Sequence, residues 1–347
     1  MQQFDTGGKN PVRRQKSWRN ALGICLAVFV LAAAAASACS IPVFRYALTR
    51  WRATPYVAAV VHEKPLSEDD RAVISYLKKQ VSERDTPPNL RVKKLNVKKN
   101  KKARKRLEPD STPSIMLIHP QLPPDHRVVW QAPIKKKAVD RMVQSPVRKK
   151  LAQRLLDGHA AVWLLLESGN KQKDRQARKT LKTRLEKMEE MVRLPMGYNP
   201  PGQSSGSGGD KKGGKKEVNF SMLRLDRSDP QEKALVSILL HSEPGLTKDK
   251  YRDDPMAFPV FGRGRVLYGL VGEGINKSNI ARVSAFLVGG CQCQVKSAAP
   301  GKDLLISADW SSVAYGRGPG GAPPSVQGAL GGRGSGKKGS GGSGGGR

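Results

Sequence analysis

Three cysteines outside the apolar N-terminal segment are the side chains best suited to chemistry in this sequence. Cys39 directly follows that segment, and Cys291 and Cys293 lie one residue apart near the C-terminus. Two thiols at this spacing could form an easily reduced disulfide or hold a soft metal ion such as copper or zinc. A zinc site needs four ligands, and the sequence has no second cysteine pair and no nearby histidine pair. Cys291 and Cys293 are therefore weak metal candidates, and a structural disulfide or two small packed residues is favoured.

A glycine- and arginine-rich stretch, GRGR from Gly262 to Arg265, has the residue types of a phosphate-binding loop. Glycine lets backbone amides approach an anion, and arginine pairs with it. The spacing to Gly269 fits neither G-x-G-x-x-G nor the G-x-x-x-x-G-K-S/T pattern. We therefore predict a glycine-rich strand-to-helix turn here rather than a nucleotide site.

The histidines do not indicate a catalytic or metal site. They are His62, His119, His126, His159 and His241. None of them is paired with another at a metal-ligand spacing. No Ser-His-Asp set or carboxylate pair can be assigned from sequence, because each depends on tertiary contacts. We assign no catalytic residue and expect no cofactor, which favours a non-catalytic protein without excluding an enzyme.

The N-terminus has the order of an export signal: a basic flank, then the apolar residues 21 to 38, then Cys39. A basic flank stays cytoplasmic while the apolar stretch enters the bilayer. The stretch has 18 residues, whereas a permanent span needs about 20. Its Ala36-Ser37-Ala38-Cys39 ending is typical of cleavage and is similar to the lipobox of bacterial lipoproteins, although the usual leucine is replaced by Ala36. We predict Cys39 as a lipidation site, with an uncleaved anchor and a released secreted protein as alternatives.

The composition is strongly basic, with 62 Lys and Arg against 29 Asp and Glu and a net charge of +33. The densest run, residues 93 to 106, has nine basic residues in 14 and no aromatic residue for stacking on bases. We predict a solvated, disordered basic loop at 93 to 108. The predicted partners are the membrane, which the N-terminus would contact, and two further possibilities. These are an envelope protein and an anionic polymer or lipid bound by residues 93 to 106. We expect no specific nucleic-acid partner.

Hydrophobic patterning predicts strands that alternate with helices, which is the signature of an α/β fold with a mixed sheet. The predicted strands are 55 to 63, 89 to 97, 114 to 119, 127 to 132, 160 to 169, 218 to 227, 258 to 264 and 303 to 310. Helices are predicted from Ser67, from Ser145-Pro146 to Asp157, over 171 to 194, from Asp229-Pro230, and over 276 to 288.

The order of these elements predicts a repeated α/β unit. The strand at 55 to 63 is matched with the one at 218 to 227, and 160 to 169 is matched with 303 to 310. The predicted division is a signal or anchor segment at 1 to 38, a first α/β unit at 39 to 198, a disordered linker at 199 to 216, a second α/β unit at 217 to 312, and a disordered Gly-rich tail at 313 to 347.

Several stretches together carry a family resemblance. They are CSIPVFRYALTRW after the signal, AVWLLLESG, AFPVFGRGRVLYGLVGEGI, AFLVGGCQCQVK and DLLISADW. Over most of 39 to 310 the chain resembles a group of uncharacterised bacterial exported proteins, which begin at a lipobox-like cysteine and have thioredoxin-like α/β units. The resemblance implies a fold and a place in the cell envelope, on the exported side of a membrane. It implies no reaction or ligand, and the C-x-x-C of thiol–disulfide oxidoreductases is missing after the first strand, where Glu63-Lys64-Pro65 stands.

The sequence therefore predicts an exported, membrane-attached α/β protein with two thioredoxin-like units and a non-catalytic binding or envelope-assembly role. The alternative is an envelope redox or metal-handling protein that uses Cys291 and Cys293.

Overall fold

The computed structural model describes residues 41–195 and 218–311. The apolar segment at 1 to 38, Cys39, the linker at 199 to 216 and the tail at 313 to 347 lie outside the described residues, so the predictions made for them remain predictions.

The described chain contains both strands and helices, interspersed along its length. The strands are β1 (Tyr56–His62), β2 (Leu90–Asn96), β3 (Ser114–Ile118), β4 (Val128–Pro133), β5 (Ala161–Glu167), β6 (Phe220–Asp226), β7 (Met256–Phe261), β8 (Arg265–Val266), β9 (Leu270–Val271) and β10 (Lys302–Asp303). The helices are α1 (Val43–Arg50), α2 (Glu68–Ser82), α3 (Lys101–Leu107), α4 (Lys136–Val143), α5 (Pro146–Leu156), α6 (Lys171–Met191), α7 (Lys233–His241), α8 (Lys277–Val288) and α9 (Cys293–Ala298).

The first sheet has the order β2-β1-β3-β4. β1 and β2 are parallel, with Tyr56 opposite Leu90, and α2 makes the crossover between them. β3 runs antiparallel to β1, and β4 runs antiparallel to β3. The helix α2 begins as its sequence predicts, because Ser67 and Asp70 each accept a hydrogen bond from the other's backbone N–H.

The second sheet repeats this arrangement in the order β10-β8-β7-β5-β6, with β9 paired beside β7. β5 and β6 are parallel, and β7 is antiparallel to β5. The two mixed sheets with their helices confirm the predicted α/β class.

The strand β5 and the helix α6 belong to the second sheet, not to the first unit as predicted. β5 pairs with β6 and β7, and α6 packs on β6 and α8. β5 therefore corresponds to β1 in the repeat, and the predicted match of β1 with the strand at 218 to 227 is corrected. Sequence position misleads here because the parallel strands β5 and β6 need a long crossover, and α6 belongs to that crossover and thus to the second unit.

The basic run is not a disordered loop over its described length. Residues 93 to 96 complete β2, and Lys101–Leu107 form α3. Asn100 caps this helix by accepting a hydrogen bond from the Ala103 N–H at 2.9 Å. Lysine, arginine and alanine are good helix formers, so a short capped helix is compatible with the charge of the run.

The two sheets share one hydrophobic core because a helix of each unit packs against the sheet of the other. α5 follows the first sheet in the chain and contacts β5 and β6, whereas α7 follows β6 and contacts β4. The same cluster of buried side chains includes Val60 of β1 and Leu164 of β5.

A C-terminal stretch, residues 302–307, lies where the two units meet, and we call it the seam segment. The predicted strand at 303 to 310 is paired only at Lys302 and Asp303, which lie opposite β8. Beyond them, Leu304, Leu305 and Ile306 are buried. Asn89 of the first unit binds this stretch through its backbone and side chain, including an Ile306 N–H to Asn89 Oδ1 bond of 2.8 Å.

A buried ion pair fixes the start of the seam segment. Arg265 of β8 donates to Asp303 at 3.0 Å from Nε and 3.1 Å from Nη2, and the two side chains are 6% and 4% exposed. The Thr54 N–H also donates to Asp303 at 3.0 Å, and the Tyr56 hydroxyl donates to the Asp303 carbonyl at 2.6 Å. The guanidinium of Arg265 lies 5.3 Å from the centre of the Trp51 ring.

Replacing Asp303 by Asn should lower the free energy of unfolding by about 3–5 kcal/mol, because it leaves the Arg265 charge buried without its counter-charge. Denaturant unfolding measures this change. The control is Asp249→Asn, which removes an exposed partner of Arg252 and should change stability by less than about 0.5 kcal/mol. Equal effects in the two variants would contradict the role given to the buried pair.

Candidate functional site

The two C-terminal cysteines have different surroundings. Cys291 is buried, and its N–H donates to the Ile41 carbonyl at 2.8 Å beside a β-bridge between Pro42 and Gly290. Cys293 is exposed at the start of α9, and the two thiols form no disulfide with each other. Within residues 41–195 and 218–311, no group of three or more His, Cys, Asp or Glu side chains could hold a metal ion.

The GRGR stretch forms the tight turn between β7 and β8, a strand-to-strand connection rather than the predicted strand-to-helix turn. Gly262 and Gly264 have φ values of +59° and +86°, which favour glycine. A Cβ on Gly264 would lie 2.3 Å from Ile306 Cδ1, so the turn is closely packed. Arg263 donates to the Leu48 carbonyl, and Arg265 is held by Asp303. These contacts assign the stretch a structural role.

Among the histidines, His119 is fully buried against the ring of Tyr56, with 4.8 Å between ring centres. Its Nδ1 accepts a hydrogen bond from the Gln121 N–H at 3.1 Å, so the ring proton of the neutral form is on Nε2. Nε2 is buried and has no hydrogen-bond partner in the described part of the chain. Burial, followed by the charge of Lys302, lowers the pKa of His119 from 6.5 to about 3. His119 is thus a neutral core residue at physiological pH.

A cleft of about 780 Å³ opens where the two units meet, and we call it the seam cleft. Its lining comes from the end of α2, from α4, from the start of α5, from the turn before α7 and from the seam segment. The charged residues of this lining are Arg84, Lys137, Asp140, Arg141, Arg148 and Lys149.

Arg148 is the buried member of this group, with 4% of its surface exposed. Its Nη1 donates to the Leu305 carbonyl at 2.8 Å, and its Nη2 donates to the Met142 carbonyl at 2.6 Å. Its Nε is buried without a hydrogen-bond partner among the described residues, and no described carboxylate lies within ion-pair distance. Burial lowers the pKa of Arg148 to about 10, against the opposing effect of Glu232. The guanidinium therefore stays charged at neutral pH.

The first backbone amides of α5, beside the cleft, already have partners. The Val147 N–H donates to Glu232 Oε1, and the Arg148 N–H donates to Ser145 Oγ, each at 2.9 Å. Glu232 also accepts a hydrogen bond from the Ser145 hydroxyl. Recognition in the seam cleft consequently depends on side chains rather than on free amides of the helix end.

A larger cleft, of about 1240 Å³, lies at the first turns of α6 and α8. Its Lys173 is already paired with Asp254 at 2.8 Å. The seam cleft is the better candidate, since its buried cation has no such partner.

Sequence reasoning did not find the seam cleft. Arg84, Arg148 and Leu305 come from three distant parts of the chain, and no motif joins them. The one local signal was the Ser145-Pro146 start of α5, which was predicted and is confirmed.

The neutral state of His119 makes stability depend on acidity. The unfolded chain binds a proton below pH 6.5, whereas the folded protein binds it only near pH 3. The free energy of unfolding should therefore fall on acidification between these values, by up to about 1.4 kcal/mol per pH unit from this group. His119→Gln should flatten the fall in denaturant titrations at pH 7 and pH 4.5. The control is His126→Gln at an exposed histidine, which should leave the dependence of the free energy of unfolding on pH unchanged. If this dependence is the same as in the natural chain for both variants, the role given to the buried, neutral His119 is contradicted.

No helix among the described residues is long and apolar enough to cross a membrane. In comparisons with protein families, curated proteins and solved structures, nothing matches this chain.

Proposed function

We propose that this chain is an exported, membrane-attached protein with two thioredoxin-like units, and that it binds a partner in the cell envelope without catalysing a reaction. The observation that carries the binding role is the seam cleft, an open cavity at the boundary of the two units with a buried arginine that has no direct ion-pair partner among the described residues.

The strand arrangement supports the thioredoxin-like assignment. Each sheet begins with a parallel pair joined by a helix, followed by a strand antiparallel to the first and a further antiparallel strand. This strand order is the one expected of a thioredoxin-like unit, and it occurs in both sheets. Together with the sequence resemblance, it supports the assignment.

The loops where such a unit carries its redox thiols have structural contacts here. After β1, Glu63 forms an ion pair with Arg104 at 2.8 Å. After β5, the N–H groups of Ser168 and Gly169 donate to the carboxylate of Asp174 in the first turn of α6. Neither loop contains a cysteine, which favours binding over thiol–disulfide exchange.

Membrane attachment through Cys39 would hold the folded body close to the bilayer. The helix α1 begins at Val43, which is buried and whose N–H donates to the Gly289 carbonyl at 3.0 Å. Only four residue steps separate Cys39 from Val43, so the tether spans about 14 Å at most. Such a protein would act at the membrane surface rather than at a distance from it.

Cys39→Ser should move the protein from the membrane pellet to the soluble exported fraction, because it removes the thiol that would carry the lipid. Cys25→Ser is the matched control and should stay in the pellet. Mass spectrometry of the mature N-terminus is the direct measurement, and an acylated Cys39 is expected. An intact N-terminal segment would refute lipidation at Cys39 and make residues 21 to 38 the anchor, and an unmodified Cys39 on a soluble chain would refute the attachment itself.

The rival function is redox or metal handling at Cys291 and Cys293, and the exposure of Cys293 is the observation in its favour. Metal analysis and thiol titration of the purified chain decide between the two functions. Bound copper or zinc that is lost in Cys293→Ser would support the rival, and a metal-free protein with inert thiols would end it.

A further inference from the structure

We infer that the seam cleft binds a phosphate-bearing small molecule, with Arg148 as the buried anchor and Arg84 and Arg141 at the rim. The inference names a ligand class for the binding role proposed above and rests on that role. It follows from the charge of the cleft, the state of Arg148 and the nature of the walls.

The cleft has a large excess of positive charge. Five basic residues and one acidic residue line it, which gives a net charge of +4. The one carboxylate, Asp140, already accepts a hydrogen bond from the Tyr76 hydroxyl at 2.6 Å. A multiply charged anion would neutralise several of these cations at once, which a single carboxylate cannot do.

Arg148 gives the strongest reason to expect an anion. A buried charge is costly unless a counter-charge and hydrogen bonds compensate it. Two backbone carbonyls satisfy part of the guanidinium, but Nε has no partner within the described chain and no described carboxylate pairs with it. Among the described residues, Arg265 is the other arginine buried to this degree, and it is paired with Asp303. Asp303 supplies the counter-charge of Arg265, and a bound anionic ligand would supply the counter-charge of Arg148.

The walls of the cleft indicate the rest of the molecule. Pro88, Val143, Pro146 and Leu305 supply apolar surface beside the cations, so the ligand would carry an organic part. The volume of about 780 Å³ lies within the usual range for small-molecule sites, roughly 300–1,000 Å³. The described residues of the lining include no aromatic side chain on which a base could stack, which favours a phosphorylated aliphatic compound over a nucleotide.

The test uses the full chain, purified in detergent, with inorganic phosphate and inorganic pyrophosphate as probes. Titration calorimetry and thermal unfolding at constant ionic strength should show saturable binding and stabilisation, because a ligand that binds only the folded state raises its stability. The double variant Arg84→Gln/Arg141→Gln should bind pyrophosphate at least 10-fold more weakly. The matched control, Lys179→Gln/Lys187→Gln, removes two exposed charges of α6 that line neither cleft and should bind as the natural chain does.

Arg148→Lys tests the anchor, since it keeps the charge and removes the planar fork that grips an oxyanion. We expect weaker pyrophosphate binding with cooperative unfolding retained. If this variant does not fold, the rim variants decide. Absence of saturable binding, or equal weakening in the rim and control variants, would overturn the inference.

A further arm identifies the source of the phosphate group. If vesicles of phosphatidylglycerol bind more of the chain than vesicles of phosphatidylcholine do, and pyrophosphate removes this difference in the natural chain only, the ligand is a lipid headgroup. If the two kinds of vesicle bind equally and pyrophosphate still binds in the titration, it is a free organic phosphate. Both outcomes support the inference. If the natural chain binds neither phosphate nor pyrophosphate but still needs Cys39 for membrane attachment, this inference fails while the proposed membrane attachment stands.

Discussion

The buried pair of Arg265 and Asp303 is the interaction on which the join between the two units depends. It places β10 beside β8 and thereby sets where the seam segment leaves the second sheet. The same aspartate receives hydrogen bonds from Thr54 and, through its carbonyl, from Tyr56, so the first strand of the first sheet is fixed to it. We infer that this pair fixes how the two units join, a role in structural specificity that buried ion pairs have in some proteins. The seam cleft exists only because the two units meet in this one arrangement.

Local signals predicted the elements well, because the forces that form them act over a few residues. Neighbouring residues are enough to predict three features: the cap at Ser67, the Ser145-Pro146 start of α5 and the continuous apolar run of β5. The run of β5 is apolar on every position from Ala161 to Leu166 because both of its faces are buried, Leu164 in one cluster and Trp163 in the other. Its place in the second sheet was not predictable in the same way, because strand pairing is decided by contacts between distant segments.

The candidate site was less predictable than the fold. Arg148 lies in the sequence VRKK beside two exposed lysines, and this context predicts an exposed arginine. What distinguishes it is tertiary: the carbonyls of Met142 and Leu305 draw its guanidinium inward. The basic run at 93 to 106 led the sequence analysis to the most conspicuous charges, whereas the charges that line a cleft are scattered along the chain. Basic residues that are close in sequence need not lie around one cavity, and a binding site requires that their side chains meet in the folded protein.

The two buried arginines show how the fold distinguishes structure from function. Arg265 has a carboxylate held in place by the same chain, so its charge is satisfied whenever the protein is folded. Arg148 has two neutral carbonyls as its hydrogen-bond acceptors, and burial lowers its pKa to about 10 without removing its proton at neutral pH. Glu232 is near enough to influence that pKa, but its oxygens are occupied by Ser145 and the Val147 N–H. Glu232 therefore compensates Arg148 only at a distance, because its oxygens are hydrogen-bonded to Ser145 and Val147 and not to the guanidinium. An anion in the seam cleft would supply the direct counter-charge that Arg148 lacks among the described residues.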